Sequence, residues 1–272
     1  MVLKQPLDLE YWFVNVFSGN WDIFSFIGVL MITSMAAYFK MNGVVYGMFL
    51  AMFALLLAYS GADALLIFPT PAFLNDPLDA KIIYSYHKEI AEASRAPIIV
   101  FQLGPIFGGV NYPTHALEKV LELPQVIGLK DASFDALRFS QTRDIVQSAN
   151  HPITLLNGND NFLLESFLLG AKGGLLGFGA VGVRLLVDML NCVKNHKYEQ
   201  AAAMQKKVQG FCDYIYEQPI GDYRARCKVA LVHMGLFKKE HTYVRPPFLS
   251  LWAAEQNRAY QAVEQVGLLN CV

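Results

Sequence analysis

At 272 residues the chain is long enough for one enzyme-sized domain, and its formal net charge of −1 offers no general attraction for a polyanion. Because 22 Lys and Arg residues are matched by 23 Asp and Glu residues, we predict no nucleic-acid partner. The six histidines stand singly, without metal-ligand spacing, so we predict no metal and no cofactor. The cysteines are not closely paired and are interpreted as free thiols: Cys192, Cys212, Cys227 and Cys271.

Residues 1–60 form a hydrophobic N-terminal segment. From Ile23 to Tyr59 the only formal charge is Lys40, which separates apolar arms of 17 residues (23–39) and 19 residues (41–59). A bilayer core needs roughly 20 helical residues, so residues 23–59 are predicted to form a two-helix hairpin that crosses the membrane and contacts lipid. A cleaved signal peptide would have a single apolar region of about 7 to 15 residues. A buried helix of a soluble domain is the other alternative.

The segment Val126–Ser133 is an apolar run that brings one lysine, Lys130, to the point where a strand is predicted to end. A lysine at an apolar mouth can lose enough hydration to become a neutral amine, which can attack a carbonyl. Lys130 is therefore the candidate Schiff-base nucleophile. Further buried strands are predicted at Pro152–Asp160 and Gly173–Ala180, with helical patterns between the strands. This alternation predicts an α/β fold with a parallel sheet.

Beyond the last predicted strand the pattern is helical. Helices are predicted at 197–217, 222–236 and 249–267, the first with apolar residues at three- and four-residue spacing. Residues 198–272 are therefore predicted to form a C-terminal helical extension.

Gly177, Gly179 and Gly182 match the dinucleotide-binding pattern GxGxxG. The residues after them continue as a helix, and no second βαβ strand offers an acid to a ribose. We therefore interpret these glycines as positions of close packing that leave room at the strand ends.

Five segments in order resemble the dihydrodipicolinate synthase and N-acetylneuraminate lyase family, which are TIM barrels that form a Schiff base between a lysine and pyruvate or another 2-keto acid. Gly61–Leu66 resembles the fourth strand of the family and Ala96–Gln102 the fifth. The strand of Lys130, the turn Gly158–Asp160 and the segment Gly174–Gly177 resemble the sixth, seventh and eighth. The resemblance implies a partial TIM (β/α) barrel at 61–197 that lacks the first three βα units. In it, Lys130 is the Schiff-base lysine.

The chain also departs from the family pattern. Nothing in it corresponds to the Gly-Thr-Thr-Gly-Glu-like loop that holds the carboxylate of the keto acid. Where relatives have Tyr-Asn after strand five, this chain has Phe101 and Gln102, and a phenyl ring cannot relay a proton. Gln102 can still hydrogen-bond a substrate oxygen.

The candidate site combines catalytic Lys130 with residues that the resemblance or their place at strand ends assigns to substrate binding. Those residues are Phe101, Gln102, Ser133, Gly158, Asn159, Asp160, Leu176 and Gly177. Two of them have a second interpretation, since Ser133 can cap a helix that begins near Phe134, and Asp160 can cap a helix from Asn161 onward.

Two functions follow from these observations. The first is a class I aldolase-like lyase, in which Lys130 condenses with pyruvate or another 2-keto (sugar) acid. The alternative is a catalytically silent, membrane-tethered interaction or structural module. Five βα units cannot close a barrel, so exposed strand edges predict a homo-oligomer or another cover. With the hairpin, the location is predicted as membrane-associated with a cytoplasmic barrel-like domain, and without it as cytoplasmic.

Overall fold

The computed structural model describes residues 62–74 and 79–270, so the predicted membrane hairpin at 23–59 lies outside the described residues. Within the described ranges, no helix combines the length and the apolar composition that a bilayer crossing requires.

Strands and helices alternate along the chain and are followed by three further helices. The strands are β1 (Leu65–Ile67), β2 (Ile98–Leu103), β3 (Val126–Ala132), β4 (Thr154–Asn157) and β5 (Gly173–Gly174). The helices are α1 (Ala80–Ser94), α2 (Thr114–Leu121), α3 (Ala136–Gln147), α4 (Leu163–Leu168), α5 (Gly179–Lys194), α6 (Tyr198–Tyr216), α7 (Tyr223–His233) and α8 (Ala253–Val266). The predicted alternation and the C-terminal helices are thereby confirmed.

The described strands form one sheet in the order β1-β2-β3-β4-β5. β1 pairs in parallel with β2, with Leu65 opposite Ile98, and β4 pairs in parallel with β5, with Leu156 opposite Gly173. The near-continuous apolar runs of these strands are typical of a parallel sheet that is covered on both faces.

One predicted element is wrong in its extent. The strand predicted at Gly173–Ala180 ends at Gly174, and Gly179 already belongs to α5. A short apolar run has no periodicity that separates a buried strand from the first turn of a buried helix, which explains the error.

The described residues fall into two compact units. Those up to Lys130, together with Gln141–Leu155, form the first unit, and Asp131–Ser140 with the residues from Leu156 onward form the second. The fully buried apolar side chains of the first unit include Ile83, Ile98 and Leu117.

A buried aromatic cluster surrounds His87 of α1 in the first unit. Its ring packs against Phe73, Tyr86 and Tyr112 at centroid distances of 5.1–6.4 Å. The side chain is 0% exposed, and Nδ1 lies 2.8 Å from the carbonyl oxygen of Ile83. Burial lowers the pKa of His87 to about 4, so the imidazole is neutral at neutral pH.

The second unit has its core between α5, α6, α7 and α8. Phe178 packs edge-to-face on Phe211 of α6, with ring centroids 5.5 Å apart. Arg226 of α7 is only 1% exposed and donates hydrogen bonds to the carbonyl oxygens of Ile215 and Glu217, where α6 ends. A buried guanidinium needs such partners, so Arg226 ties α7 to the end of α6.

The described cysteines Cys192, Cys212 and Cys227 are buried free thiols, as predicted. Burial raises the pKa of Cys227 to about 12 and also raises that of Cys212. At neutral pH these two side chains therefore act as small apolar groups.

Candidate active site

Lys130 is the fifth residue of β3, and its side chain meets an aromatic surface. Its Nζ lies 4.0 Å from the centroid of the Phe101 ring, which comes from the neighbouring strand β2. Phe101 is 3% exposed and packs edge-to-face on Phe68, with centroids 4.8 Å apart. A ring face attracts a cation on this nitrogen by about 0.5–2 kcal/mol. The surroundings of the amine are thus apolar, and they favour a cationic nitrogen over a neutral one.

Gln102 is completely buried and ties β2 to two other elements of the first unit. Its Nε2 donates to Thr142 Oγ1 of α3 at 3.0 Å, and its Oε1 accepts the backbone N–H of Tyr112 at 3.2 Å. The Tyr112 hydroxyl donates to the carbonyl oxygen of Phe101 at 3.4 Å, and burial raises the pKa of Tyr112, so this hydroxyl stays protonated. Gln102 therefore fixes the end of β2, which carries Phe101.

Asp131, at the start of the second unit, organises the loop that follows β3. Its buried carboxylate accepts the backbone N–H and the hydroxyl of Ser133 at 3.0 and 2.7 Å, and Asn159 Nδ2 at 3.2 Å. Its carbonyl oxygen accepts the N–H of Gly158 at 2.7 Å and Asn159 Nδ2 at 2.8 Å. Asn157 adds a bond to the Asn159 N–H at 2.8 Å. The structure thus brings Ser133, Gly158 and Asn159 together around Asp131.

The helix after this loop is capped by a different residue from the one considered in the sequence. α3 begins at Ala136, and Asp135 Oδ1 accepts the N–H groups of Leu137 and Arg138 at 2.8 and 3.1 Å. The N-cap interpretation of Ser133 is therefore wrong, because its hydroxyl donates to Asp131 two residues before the cap.

Asp160 is completely buried and accepts three hydrogen bonds. The N–H groups of Gly177 and Phe178 donate to its two carboxylate oxygens at 3.1 and 2.8 Å, and the Tyr216 hydroxyl donates to Oδ2 at 2.9 Å. Asp160 therefore holds the start of α5, and the proposed capping of a helix from Asn161 onward is wrong in its target. Burial, and then the nearby Asp160 charge, raise the pKa of Tyr216, so its hydroxyl remains a donor.

The glycines of the GxGxxG pattern allow close packing, as predicted. A Cβ on Gly177 would overlap the Tyr216 hydroxyl, and a Cβ on Gly182 would overlap the Phe178 ring. Leu176, the remaining predicted site residue, is 6% exposed, and its Cδ1 lies beside Gly174.

Sequence reasoning missed Thr142, Tyr112 and Tyr216. Tyr216 lies 56 positions from Asp160, and Thr142 lies 40 positions from Gln102. No local motif marks such contacts, because they exist only once distant helices have packed. Within the described part of the chain, no group of three or more His, Cys, Asp or Glu residues is placed to hold a metal ion.

Solved structures share this architecture. Dihydrodipicolinate synthase from Bacteroides thetaiotaomicron superposes with a TM-score of 0.71 at 24% identity, covering 88% of this chain and 81% of that chain. YagE, a prophage protein of E. coli K12 from the dihydrodipicolinic acid synthase family, solved in complex with pyruvate, has a TM-score of 0.71 at 18% identity. The superposition covers 82% of this chain and 72% of that chain. The fold is therefore an α/β, TIM-barrel-like fold with a parallel sheet.

Sequence comparison identifies the family. The model of the Dihydrodipicolinate synthetase family matches residues 52–266, and the chain belongs to this family. It is 26% identical over 147 residues to 4-hydroxy-tetrahydrodipicolinate synthase 2 of Clostridium acetobutylicum, covering 54% of this chain and 50% of the relative. It is 32% identical over 149 residues to an uncharacterized DapA-like lyase of Pyrobaculum islandicum, covering 54% and 47%. The chain thus spans about half the length of these curated relatives.

Proposed function

We propose that this chain is a Schiff-base lyase that acts on pyruvate or another 2-keto acid through Lys130. The observation that carries the proposal is the position of Lys130 in β3, with its Nζ 4.0 Å from the Phe101 ring centroid. Membership of a family that includes 4-hydroxy-tetrahydrodipicolinate synthases, and a structural neighbour solved with pyruvate, supports a keto-acid substrate.

The chemistry requires only the lysine amine and water as covalent partners. The neutral amine attacks the keto carbon, and loss of one water molecule gives a cationic iminium. The iminium withdraws electrons from the adjacent carbon, so a carbon–carbon bond to that carbon can break or form. Addition of water then releases the keto acid and restores the amine.

Phe101 has a role in this scheme that differs from proton relay. Its ring face already contacts Nζ, and the iminium places its positive charge on the same nitrogen. The ring therefore stabilises the iminium relative to the neutral amine. Gln102 keeps this ring in place through Thr142 and the Tyr112 backbone.

The other predicted substrate-binding residues stay predictions. The hydrogen bonds of Ser133, Asn159 and Asp160 described above run within the protein, so any contact they make with substrate adds to a structural role. Main-chain groups at Gly158, Leu176 and Gly177 are the parts of these loops that we propose for substrate contact.

We further propose that residues 61–197 form units four to eight of a TIM barrel and that 198–272 form its helical extension. In the described sheet, β1 and β5 are the outer strands, and such edges require a cover. A second copy of the chain is the proposed cover, which makes the protein a homo-oligomer. The hairpin at 23–59 would attach this assembly to a membrane.

The test is borohydride trapping on the full chain. With pyruvate present, reduction should add the mass of the reduced adduct to the peptide that contains Lys130. Lys130→Arg should abolish trapping because a guanidinium stays charged, whereas Lys172→Arg, a matched change at an exposed lysine, should leave it intact. Absence of any adduct in folded protein, over a panel of 2-keto acids, would favour the catalytically silent module.

A further inference from the structure

Phe134 has an unusual backbone conformation in the loop after β3. Its φ is +59°, in the left-handed region, where a bulky residue without a local polar side chain is a genuine outlier. Two amide side chains hold it there. Asn159 Oδ1 accepts the Phe134 N–H at 2.6 Å, and Asn161 Nδ2 donates to the Phe134 carbonyl oxygen at 3.1 Å. Strain that is held in this way points to a function for the residue.

The Phe134 side chain belongs to a partly exposed aromatic wall of three rings, Phe134, Tyr216 and Tyr223. Phe134 meets Tyr216 edge-to-face with centroids 5.0 Å apart, and Tyr216 stacks on Tyr223 at 5.6 Å with an interplanar angle of 25°. The hydroxyl of the middle ring is anchored to Asp160. The wall is therefore a fixed apolar surface within the second unit.

The aromatic wall lies where the strands of this fold present their ligands. Phe134 follows the carboxyl end of β3 by two residues, and the Tyr216 hydroxyl bonds Asp160, which follows the carboxyl end of β4. Active sites of TIM-barrel enzymes are built from the loops at this end of the strands. The carboxylate of Asp160 already accepts three hydrogen bonds from the protein, which leaves the wall apolar where a sugar acid would need polar partners.

We propose that the aromatic wall binds an aryl group of the substrate, so that the lyase acts on an aryl-substituted 2-keto acid rather than a polyhydroxylated one. This inference rests on the proposed function, since it names the substrate class of the same site. A ring on the substrate would pack against Phe134 as Tyr216 does, in the edge-to-face or offset geometry that aromatic pairs prefer.

The test uses a ligand that cannot form an imine. Binding of 3-phenylpropanoate to the full chain is measured by titration calorimetry and by saturation transfer to its ring protons. Propanoate, which lacks the ring, and gluconate, which is polyhydroxylated, are the comparison ligands. We expect 3-phenylpropanoate to bind at least tenfold more tightly than either. Equal binding of the three ligands would overturn the inference.

Phe134→Gly removes the ring and suits the positive φ, so the variant should fold at least as well as the parent chain. We expect it to weaken binding of 3-phenylpropanoate about tenfold, and Phe134→Tyr, which keeps the ring, to retain it. Unchanged binding in Phe134→Gly would also overturn the inference. Lys130→Arg should bind 3-phenylpropanoate normally, so failure of the aromatic wall and failure of the Schiff-base proposal are separate results.

Discussion

Replacing Gly177 by alanine tests the packing that holds the start of α5. The new Cβ would overlap the Tyr216 hydroxyl and lie 3.1 Å from Tyr216 Cζ. To make room, Tyr216 must move and lose its 2.9 Å bond to the buried Asp160 carboxylate. A hydrogen bond to a charged group contributes about 1.5–3 kcal/mol, and overpacking adds about 1–3 kcal/mol. We expect Gly177→Ala to lower the free energy of unfolding by about 2–4 kcal/mol.

A double-mutant cycle isolates the cause. Tyr216→Phe alone should cost about 1.5–3 kcal/mol, because it removes a donor from a buried carboxylate. In the double variant the hydroxyl is absent, and the Cβ then meets a ring carbon at a distance that needs only a small shift. The double variant should therefore be nearly as stable as Tyr216→Phe alone, which is a coupling of about 1.5–3 kcal/mol between the two sites.

Equilibrium urea denaturation, followed by far-ultraviolet circular dichroism, measures these differences. The matched control is Gly210→Ala in α6, where a Cβ meets no atom within 4 Å. This change should stabilise the helix by about 0.5–1 kcal/mol. If the effects of Gly177→Ala and Tyr216→Phe add to within about 0.5 kcal/mol, the hydroxyl is not what makes Gly177 necessary, and the reasoning fails.

Two further predictions concern pH and membrane attachment. Because the pKa of His87 is about 4 in the folded chain, whereas an exposed histidine has a pKa of about 6.5, the unfolded chain takes up this proton first as pH falls. Stability should fall by on the order of 3 kcal/mol as pH drops from about 6.5 to about 4, and denaturation of His87→Gln over this range should lack that component. An equal slope in the variant would contradict it. If residues 23–59 form a bilayer hairpin, the full chain should stay with membranes after a carbonate wash, and a chain that begins at Gly61 should not. Recovery of the full chain without detergent would refute the hairpin.

Local residue order was sufficient to determine the strands and the lysine. Apolar runs bounded by turn residues located β1 to β4, because strands buried on both faces require such runs whatever packs on them. The same reasoning placed Lys130 near the end of β3. It misjudged the boundary between β5 and α5, since the run from Gly173 to Ala180 is compatible with a strand or with the start of a helix.

Only the tertiary structure decided what the polar residues do. Asp160 and Gln102 were predicted as substrate ligands from their place at strand ends, and packing assigned them bonds to Tyr216 and Thr142 on helices distant in sequence. Phe134 could not be recognised as strained, because φ is set by the amide groups of Asn159 and Asn161 that hold it. Local sequence determines which segments are buried, whereas the partner of a buried polar group is decided by the elements that close over it.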